Sequence, residues 1–271
     1  MKTISKHLSV ALAAVLLSIL VGIPMSAAST AAPPIQTGQV LAFRAAEPKP
    51  GIDLKAFEGF AADVYVPTWR KHAPGMKCFL IKGERGKEKT KYIDVWAFDS
   101  VHTRDFYFPN EGGGASETGK KILDKAPDLD YGKYFKTSEE QVDYTDYVVL
   151  GQGGSIEGSE VIALRPLKLK PGVDPDAFEK FAVEVFAPAM DRYAPGMRGF
   201  VLKGERGKNK GQYVHVWTFD SVETRNFYFP TEGGDPSTLG QEMLSHLSAL
   251  EWDKYLKESE DDIYTDWVVL E

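Results

Sequence analysis

The chain carries two copies of one sequence, and this duplication constrains its fold more than any other feature. Residues 51–109 align with residues 172–230 at a constant offset of 121, without a gap, and 34 of the 59 aligned positions are identical. Copies of roughly 110 residues indicate two similar domains rather than a solenoid, whose repeats are about 20–50 residues long. The duplication therefore predicts architecture, and says less about function.

The composition is ordinary for a globular protein, with 43% hydrophobic and 26% charged residues. A net charge of −7 argues against a nucleic-acid-binding protein, which needs a basic surface. The basic motif Lys-Gly-Glu-Arg-Gly-Lys occurs in both copies, at residues 82–87 and 203–208. It is either an anion site or, more simply, the solvated tip of a hairpin.

The N-terminus has the pattern of an export signal. A basic start precedes the apolar residues 8–23, and small residues lead up to Ala28. We therefore expect residues 1–28 to be a cleaved signal peptide and residues 29–38 to be a disordered leader. The alternative is an uncleaved membrane anchor, for which the apolar stretch is slightly short. After cleavage the protein is expected in the periplasm or outside the cell, without a membrane segment.

Each copy reads as β-α-β-β-α-β, the order of the ferredoxin-like α+β fold. We predict one repeat over residues 39–150 and another over residues 159–271, joined by a flexible linker at 151–158. A ferredoxin-like sheet has helices on one face only, so its other face needs cover. The second copy can supply that cover, and the two sheets are then predicted to form a fused α+β barrel, as a monomeric pseudo-dimer or as part of a homo-oligomer.

The first helix of each copy has a recognisable start and a recognisable break. Asp53 and Asp174 occupy positions where an N-cap is expected. Pro67 and Pro188 follow at equivalent places, and a proline inside a helix removes a hydrogen bond and crowds the preceding turn. We expect each proline to kink or end its helix.

The third strand of each copy decides where a ligand pocket is predicted, because alternate side chains point to opposite faces. A small aliphatic face is expected to pack against the helices: Ile93, Val95 and Ala97, matched by Val214, Val216 and Thr218. A larger, aromatic and partly polar face is expected to line the space between the two sheets: Tyr92, Asp94, Trp96 and Phe98, matched by Tyr213, His215, Trp217 and Phe219.

An aromatic cavity with a few polar groups is the usual form of a small-molecule site. Tyr92, Trp96, Tyr213 and Trp217 are accordingly either ligand-contacting walls or plain core. Within the same face, Asp94 and His215 occupy equivalent positions, and each needs a partner if it is buried. They either pair with each other across the pseudo-twofold axis, or only the His215 copy keeps an active pocket. His215 itself is either a structural hydrogen-bonding group or a ligand-contacting acid–base residue.

Arg104 and Arg225 stand at equivalent positions early in the second helix of each copy. Each is either ion-paired, with Asp99 or Asp220 or with a glutamate of the following loop, or a clamp for a carboxylate or phosphate.

Cysteine and histidine usage adds little. Cys78 is the sole cysteine, so an internal disulfide is impossible, and we expect a buried core residue rather than a reactive thiol. The five histidines are scattered without the spacing of a metal site, and no metal is predicted.

One short motif resembles a known family. Residues 213–221 read Tyr-Val-His-Val-Trp-Thr-Phe-Asp-Ser, and Arg225 follows. This resembles the His-x-Trp-x-Tyr/Phe-x-Ser-x-x-x-Arg signature of NIPSNAP-type domains, which belong to the dimeric α+β barrel group with the antibiotic-biosynthesis monooxygenases. The first copy departs from the signature, because Asp94 replaces the histidine. The group includes cofactor-free oxygenases, heme-binding enzymes and domains without known activity, so the resemblance implies fold more firmly than reaction.

The sequence thus predicts an exported protein that binds a small, partly apolar molecule, with its activity left open. One alternative is a cofactor-independent monooxygenase-like enzyme, with His215 as base and Arg225 as anion clamp. Another is a non-catalytic interaction module of the cell envelope, with a filled core. No cofactor is assigned; heme fits the resemblance, but no residue pattern indicates it.

Overall fold

A computed structural model describes most of the chain beyond the N-terminus. The described residues are 38–112, 114–124, 131–136, 144–151, 156, 158–257 and 264–270. The predicted signal peptide and leader lie outside these residues apart from Gly38, as does most of the predicted linker. Within the described ranges, no helix has the length and apolar character that crossing a membrane requires.

The two copies fold into the same succession of elements. The first half contains β1 (Val40–Ala46), α1 (Leu54–Phe60), a π-helical segment (Ala61–Tyr65), α2 (Val66–His72), β2 (Met76–Gly86), β3 (Tyr92–Phe98), α3 (Val101–Tyr107), α4 (Glu117–Asp124), α5 (Tyr131–Tyr134) and β4 (Tyr144–Leu150). The second half contains β5 (Val161–Leu167), α6 (Pro175–Phe181), a π-helical segment (Ala182–Phe186), α7 (Ala187–Tyr193), β6 (Met197–Gly207), β7 (Tyr213–Phe219), α8 (Val222–Tyr228), α9 (Thr238–Ser248), a 3₁₀ turn (Trp252–Lys254) and β8 (Thr265–Leu270).

The predicted helix starts are confirmed, but the prolines do not end their helices. The carboxylate of Asp53 accepts hydrogen bonds from the backbone N–H groups of Lys55 and Ala56, and Asp174 caps α6 in the same way. Pro67 does not end the helical segment, which runs on to the end of α2. The π-helical turn just before Pro67 shifts the backbone hydrogen-bond register, so the segment continues although a proline nitrogen cannot donate.

The eight strands close into one antiparallel barrel in the order β1-β3-β2-β8-β5-β7-β6-β4. Each half contributes a four-stranded sheet, and the final strand of each half forms the junction with the other half. β4 pairs with β1 of its own half and with β6, and β8 pairs with β5 and with β2. The prediction that the two sheets face each other is therefore confirmed.

The barrel interior contradicts the predicted orientation of the third strands. Its core draws on all eight strands and also contains the aromatic residues Phe79, Tyr147, Phe200 and Trp267. Most of its members are aliphatic, among them Leu41, Ile81, Val95, Val149, Ile162, Leu202, Val214 and Val216. The aliphatic face of β3 and β7 therefore points inward, not toward the helices. An eight-stranded barrel is only wide enough for side chains to fill it, which favours residues of moderate size.

The larger aromatic face of the same strands lies outside the barrel, beneath the helices. Tyr213, Trp217 and Phe219 pack with Phe178, Phe186 and Met190 from the helical layer of the second half. The prediction that this face lines the space between the sheets is therefore wrong, and the candidate ligand sites lie between sheet and helices instead.

Buried arginines hold the two halves together. Arg225, whose side chain is 1% exposed, donates from Nη1 to Asp266 at 3.3 Å and from Nη2 to Glu84 at 2.6 Å. Glu84 belongs to β2 of the other half. The repeated basic motif is thus part of the junction, which corrects its interpretation as a solvated hairpin tip.

The same arrangement is repeated on the opposite side of the barrel. Arg104 contacts Asp146 at 3.3 Å, Glu205 of the other half at 2.8 Å and the adjacent Asp105 at 2.7 Å. The ion-pair interpretation of these arginines is supported, but the carboxylates differ from the predicted Asp99 and Asp220. As ligand clamps, Arg104 and Arg225 would need to be released from these contacts.

The glycine-rich loop that follows α8 also contributes to the junction. Glu232 accepts a hydrogen bond from the backbone N–H of Gly86 at 2.9 Å and pairs with Lys89 at 2.8 Å. Gly86 has a φ of +90°, and a Cβ there would lie 2.1 Å from the carbonyl oxygen of Tyr264. A glycine is therefore required at the point where β2 pairs with the start of β8.

We expect Arg225→Met to lower the free energy of unfolding by about 3–5 kcal/mol, because it leaves the Asp266 carboxylate buried without its cation. Urea denaturation followed by far-UV circular dichroism measures this change. Lys89→Met removes an exposed ion pair of the same junction and should leave the urea midpoint nearly unchanged. Equal effects of the two substitutions would show that the buried pair has no special role.

Candidate functional site

The candidate site lies outside the barrel in the second half, on the outer face of β5 and β7. Arg165 of β5 and His215 of β7 are directly paired across the two strands. Trp217 lies two residues beyond His215 and so shares its face. Sheet alternation thus presents a guanidinium, an imidazole and an indole side by side beneath the helical layer.

Aromatic rings surround His215. Phe186, at the end of the π-helical segment, meets the imidazole edge-on with ring centroids 4.7 Å apart. Trp217 lies at 5.1 Å and Trp252, from the 3₁₀ turn, at 5.5 Å. Consequently His215 is only 8% exposed.

A pocket of about 920 Å³ opens between this face and the helical layer. It is lined by Arg165, Leu167, Lys170, Phe186, His215, Trp217, Leu244, Leu247, Ser248, Trp252, Asp253, Leu256 and Lys257. The volume is in the range of small-molecule sites. The lining combines aromatic and aliphatic walls with three cationic side chains and one carboxylate.

Burial controls the charge of His215. Loss of solvation, with a smaller contribution from the positive charge of Arg165, lowers the pKa of His215 from 6.5 to about 3. The imidazole is therefore neutral near pH 7. Nε2 is buried and has no hydrogen-bond partner in the described part of the chain. Such an atom can form a hydrogen bond with a molecule that enters the pocket.

Trp217 also contributes a buried polar atom to the pocket lining. Its indole lies between the guanidinium of Arg165, 4.5 Å from the ring centroid, and the ring of Phe229, stacked at 5.6 Å. Its Nε1 is buried and donates to no acceptor among the described residues. Trp217, Arg165 and Leu244 also border an adjoining cavity of about 220 Å³, which extends toward Gly233.

The equivalent position in the first half holds a closed hydrogen-bond network. The Asp94 carboxylate, only 2% exposed, accepts from Tyr65 Oη at 2.7 Å, from Trp96 Nε1 at 2.8 Å and from Cys78 Sγ at 3.1 Å. Arg44, the counterpart of Arg165, pairs with Asp94 across the strands and stacks on Trp96 at 3.9 Å. Burial nevertheless raises the pKa of the Asp94 carboxyl above its usual value.

The two halves differ at a linked set of positions. Where the first half has the donors Tyr65 and Cys78, the second half has Phe186 and Gly199. A Cβ at Gly199 would lie 2.5 Å from Met190 Cγ, so that side chain occupies the space of the missing thiol. The donors are thus absent where the carboxylate is replaced by histidine.

The structure separates Asp94 from His215. Each lies under the helices of its own half, on strands that are not neighbours in the barrel. The predicted pairing across the pseudo-twofold axis is therefore wrong. Cys78 is buried, and burial together with the Asp94 carboxylate raises its pKa well above the usual value, which fits a core thiol rather than a reactive one.

Of the other predicted ligand residues, Tyr92 and Tyr213 are not part of the pocket lining. Tyr213 donates to Glu179 at 2.6 Å, and Tyr92 donates to Glu58 at the same distance. Both rings also pack edge-on against a helix phenylalanine, so they serve the core. Trp96 belongs to the closed network of the first half.

Sequence reasoning missed the pocket residues supplied by the helical layer. Phe186, Leu247, Trp252 and Lys257 come from segments that the sequence describes only as helical or loop. The difference between Phe186 and its counterpart Tyr65 was a usable signal, because it accompanies the exchange of Asp94 for His215.

The chain is similar to several solved structures at low sequence identity. A proposed monooxygenase from Lactobacillus acidophilus matches with a TM-score of 0.51 and 13% identity, over 86% of this chain and 95% of the other. A proposed monooxygenase from Fusobacterium nucleatum matches at 0.49 and 10%, over 87% and 94%. A chlorite dismutase variant from Candidatus Nitrospira defluvii matches at 0.47 and 8%, over 86% and 92%.

This chain has the fused dimeric α+β barrel fold. The closed barrel of two ferredoxin-like sheets and the first of these similarities support that assignment, which at 13% identity concerns the fold alone. No protein-family model matches the chain, and no curated protein matches it. The more specific resemblance to NIPSNAP-type domains stays a prediction.

We expect His215→Asn to make stability less sensitive to acid. Because the pKa of His215 falls on folding, the unfolded chain binds the proton more readily, and stability is lost as the pH falls from about 6.5 toward 3. At pH 4.5 the loss attributable to His215 is about 2 kcal/mol.

Urea denaturation of both proteins at pH 7 and pH 4.5 measures this difference. Comparing each protein with itself cancels the direct effect of the substitution on packing, and the buried carboxylates are common to both. Identical losses in the two proteins would mean that His215 is solvated in the folded state.

Proposed function

We propose that the protein binds a small, partly apolar molecule in the His215 pocket and does so outside the cytoplasm. The observation that carries the proposal is the pocket itself, whose aromatic walls include His215 and Trp217. A buried ring nitrogen of each has no hydrogen-bond partner among the residues that the structure describes. Native binding sites combine apolar walls with a few such polar groups. The proposed export rests on the N-terminal signal pattern alone.

The charge state of His215 favours a binding role for this residue over a catalytic one. An efficient general base has a pKa near the working pH. Burial lowers the pKa of His215 to about 3, which makes the imidazole a weak base in the state described here. A neutral imidazole remains a good hydrogen-bonding group for a bound molecule.

The pocket also bears on the remaining alternatives. An interaction module with a filled core would not need an opening of this size, so the pocket favours ligand binding over that hypothesis. Heme is not indicated by the residues present: His215 packs against three aromatic rings and is only 8% exposed, so an iron could bind it only after its side chain left this packing. We therefore assign no cofactor.

The binding proposal is tested by blocking the pocket. Ser248 is exposed on α9 and lines the opening, so Ser248→Trp should fill it. Ser245 is exposed on the same helix but is not part of the lining, which makes Ser245→Trp a matched control. Native mass spectrometry of each purified protein should show a bound small molecule that the first variant loses and the control keeps.

Absence of any bound mass in the wild-type protein, under conditions that preserve its fold, would count against the proposal. Retention of the molecule in Ser248→Trp would place it elsewhere on the surface.

A monooxygenase-like activity is the second candidate, favoured by the buried Nε2 of His215, which has no hydrogen-bond partner among the described residues. In this hypothesis His215 takes a proton from an acidic methylene of the bound molecule, which then reacts with dioxygen. The methylene becomes a carbonyl and the second oxygen atom leaves as water, so no external reductant is required.

This candidate predicts that the molecule identified by mass spectrometry is consumed together with dioxygen. His215→Ala should slow the reaction by about 10²–10⁴-fold, the usual contribution of a general base, while its circular dichroism spectrum stays native. An oxygen electrode and product analysis provide the measurement. Consumption at the same rate in the variant would remove His215 from the chemistry.

A further inference from the structure

The equivalent tryptophan sites of the two halves can be compared to infer the chemistry of the ligand. Two indoles, Trp96 and Trp217, occupy equivalent positions in the two halves. Each is in contact with a strand arginine and a phenylalanine: Arg44 and Phe108 in the first half, Arg165 and Phe229 in the second. The indole therefore has the same two types of neighbour in both halves.

What differs is the acceptor. In the first half, Trp96 Nε1 donates to the buried carboxylate of Asp94 at 2.8 Å. In the second half that carboxylate is replaced by His215, and Trp217 Nε1 is left without an acceptor among the described residues. Burying an indole N–H without an acceptor costs free energy that a ligand oxygen can recover.

The charge of the lining points in the same direction. Arg165, Lys170 and Lys257 border the pocket, and Asp253 is the carboxylate of this lining. Asp266 borders the adjoining cavity together with Arg165. The whole chain carries a net charge of −7, so a cationic lining runs against its overall composition. An anionic ligand group would be favoured by this lining.

We propose that the pocket binds a flat apolar carboxylic acid whose carboxylate takes the place that Asp94 holds in the first half. The carboxylate accepts a hydrogen bond from Trp217 Nε1 and lies near Arg165, while the apolar body packs against Trp252 and the aliphatic part of the pocket lining. Because His215 fills the position equivalent to Asp94, its side chain changes rotamer when the carboxylate binds. This inference rests on the proposed binding function and specifies its ligand class.

A pair of probes tests the charge requirement. 2-Naphthoate and 2-naphthamide have nearly the same shape, but only the first carries a carboxylate. Isothermal titration calorimetry of the full protein at pH 7 should show 2-naphthoate binding at least about tenfold more tightly than the amide, a difference of about 1.4 kcal/mol. Equal affinities, or a preference for the amide, would overturn the inference and leave the binding function intact.

Two substitutions localise the carboxylate. Trp217→Phe removes the N–H donor but keeps an aromatic ring, and should reduce the preference for the acid at least about fivefold. His215→Asp restores the carboxylate of the first half, and should abolish 2-naphthoate binding by occupying its place while sparing the amide. A His215→Asp variant that binds the acid as well as the wild type does would contradict the proposed position.

The first half provides the matched control. Trp96→Phe makes the same change at the equivalent position and should leave the affinity for both probes within about twofold of the wild-type value. An equal loss in Trp96→Phe would show that the effect is not specific to the second half. If neither probe binds the wild-type protein at millimolar concentration, both the ligand class and the pocket as a site for flat apolar molecules are refuted.

Discussion

Closure of the barrel through exchanged final strands is the constraint on which the rest of the structure depends. β4 and β8 each complete the sheet of their own half and pair with the other half, so neither sheet has an open edge. The arginines Arg104 and Arg225 reinforce both junctions by binding a carboxylate from each half. Because the inner faces fill the barrel, only the outer faces remain available for a site.

This constraint also explains why the most strongly repeated motif is not a ligand site. Glu84, Arg85 and Gly86 contact the opposite half: Arg85 donates to the carbonyl of Phe229 and to the side chain of Asn226, both at 2.8 Å. The same contact occurs in the other half, with an aspartate in place of Asn226. Repetition of this motif thus reflects the junction, whereas the exchange of Asp94 for His215 marks the pocket.

The sequence was sufficient for the elements and their order, because caps such as Asp53 and alternation along β3 and β7 are local signals. It was not sufficient to orient the sheet. Alternation shows that Trp217 and Val216 face opposite ways, but which side is the barrel interior depends on how many strands close it. Likewise, no local pattern places Trp252 over His215, since a distant segment supplies that ring.

The exchange of Asp94 for His215 has a consequence for how such a protein can change over time. In a dimer of identical subunits, every mutation is expressed in both subunits, so a residue that fills one cavity fills the other as well. Covalent fusion removes this coupling. One half of this chain can therefore keep a buried, fully bonded carboxylate that consolidates the fold, while the other half can vary its cavity without losing that support.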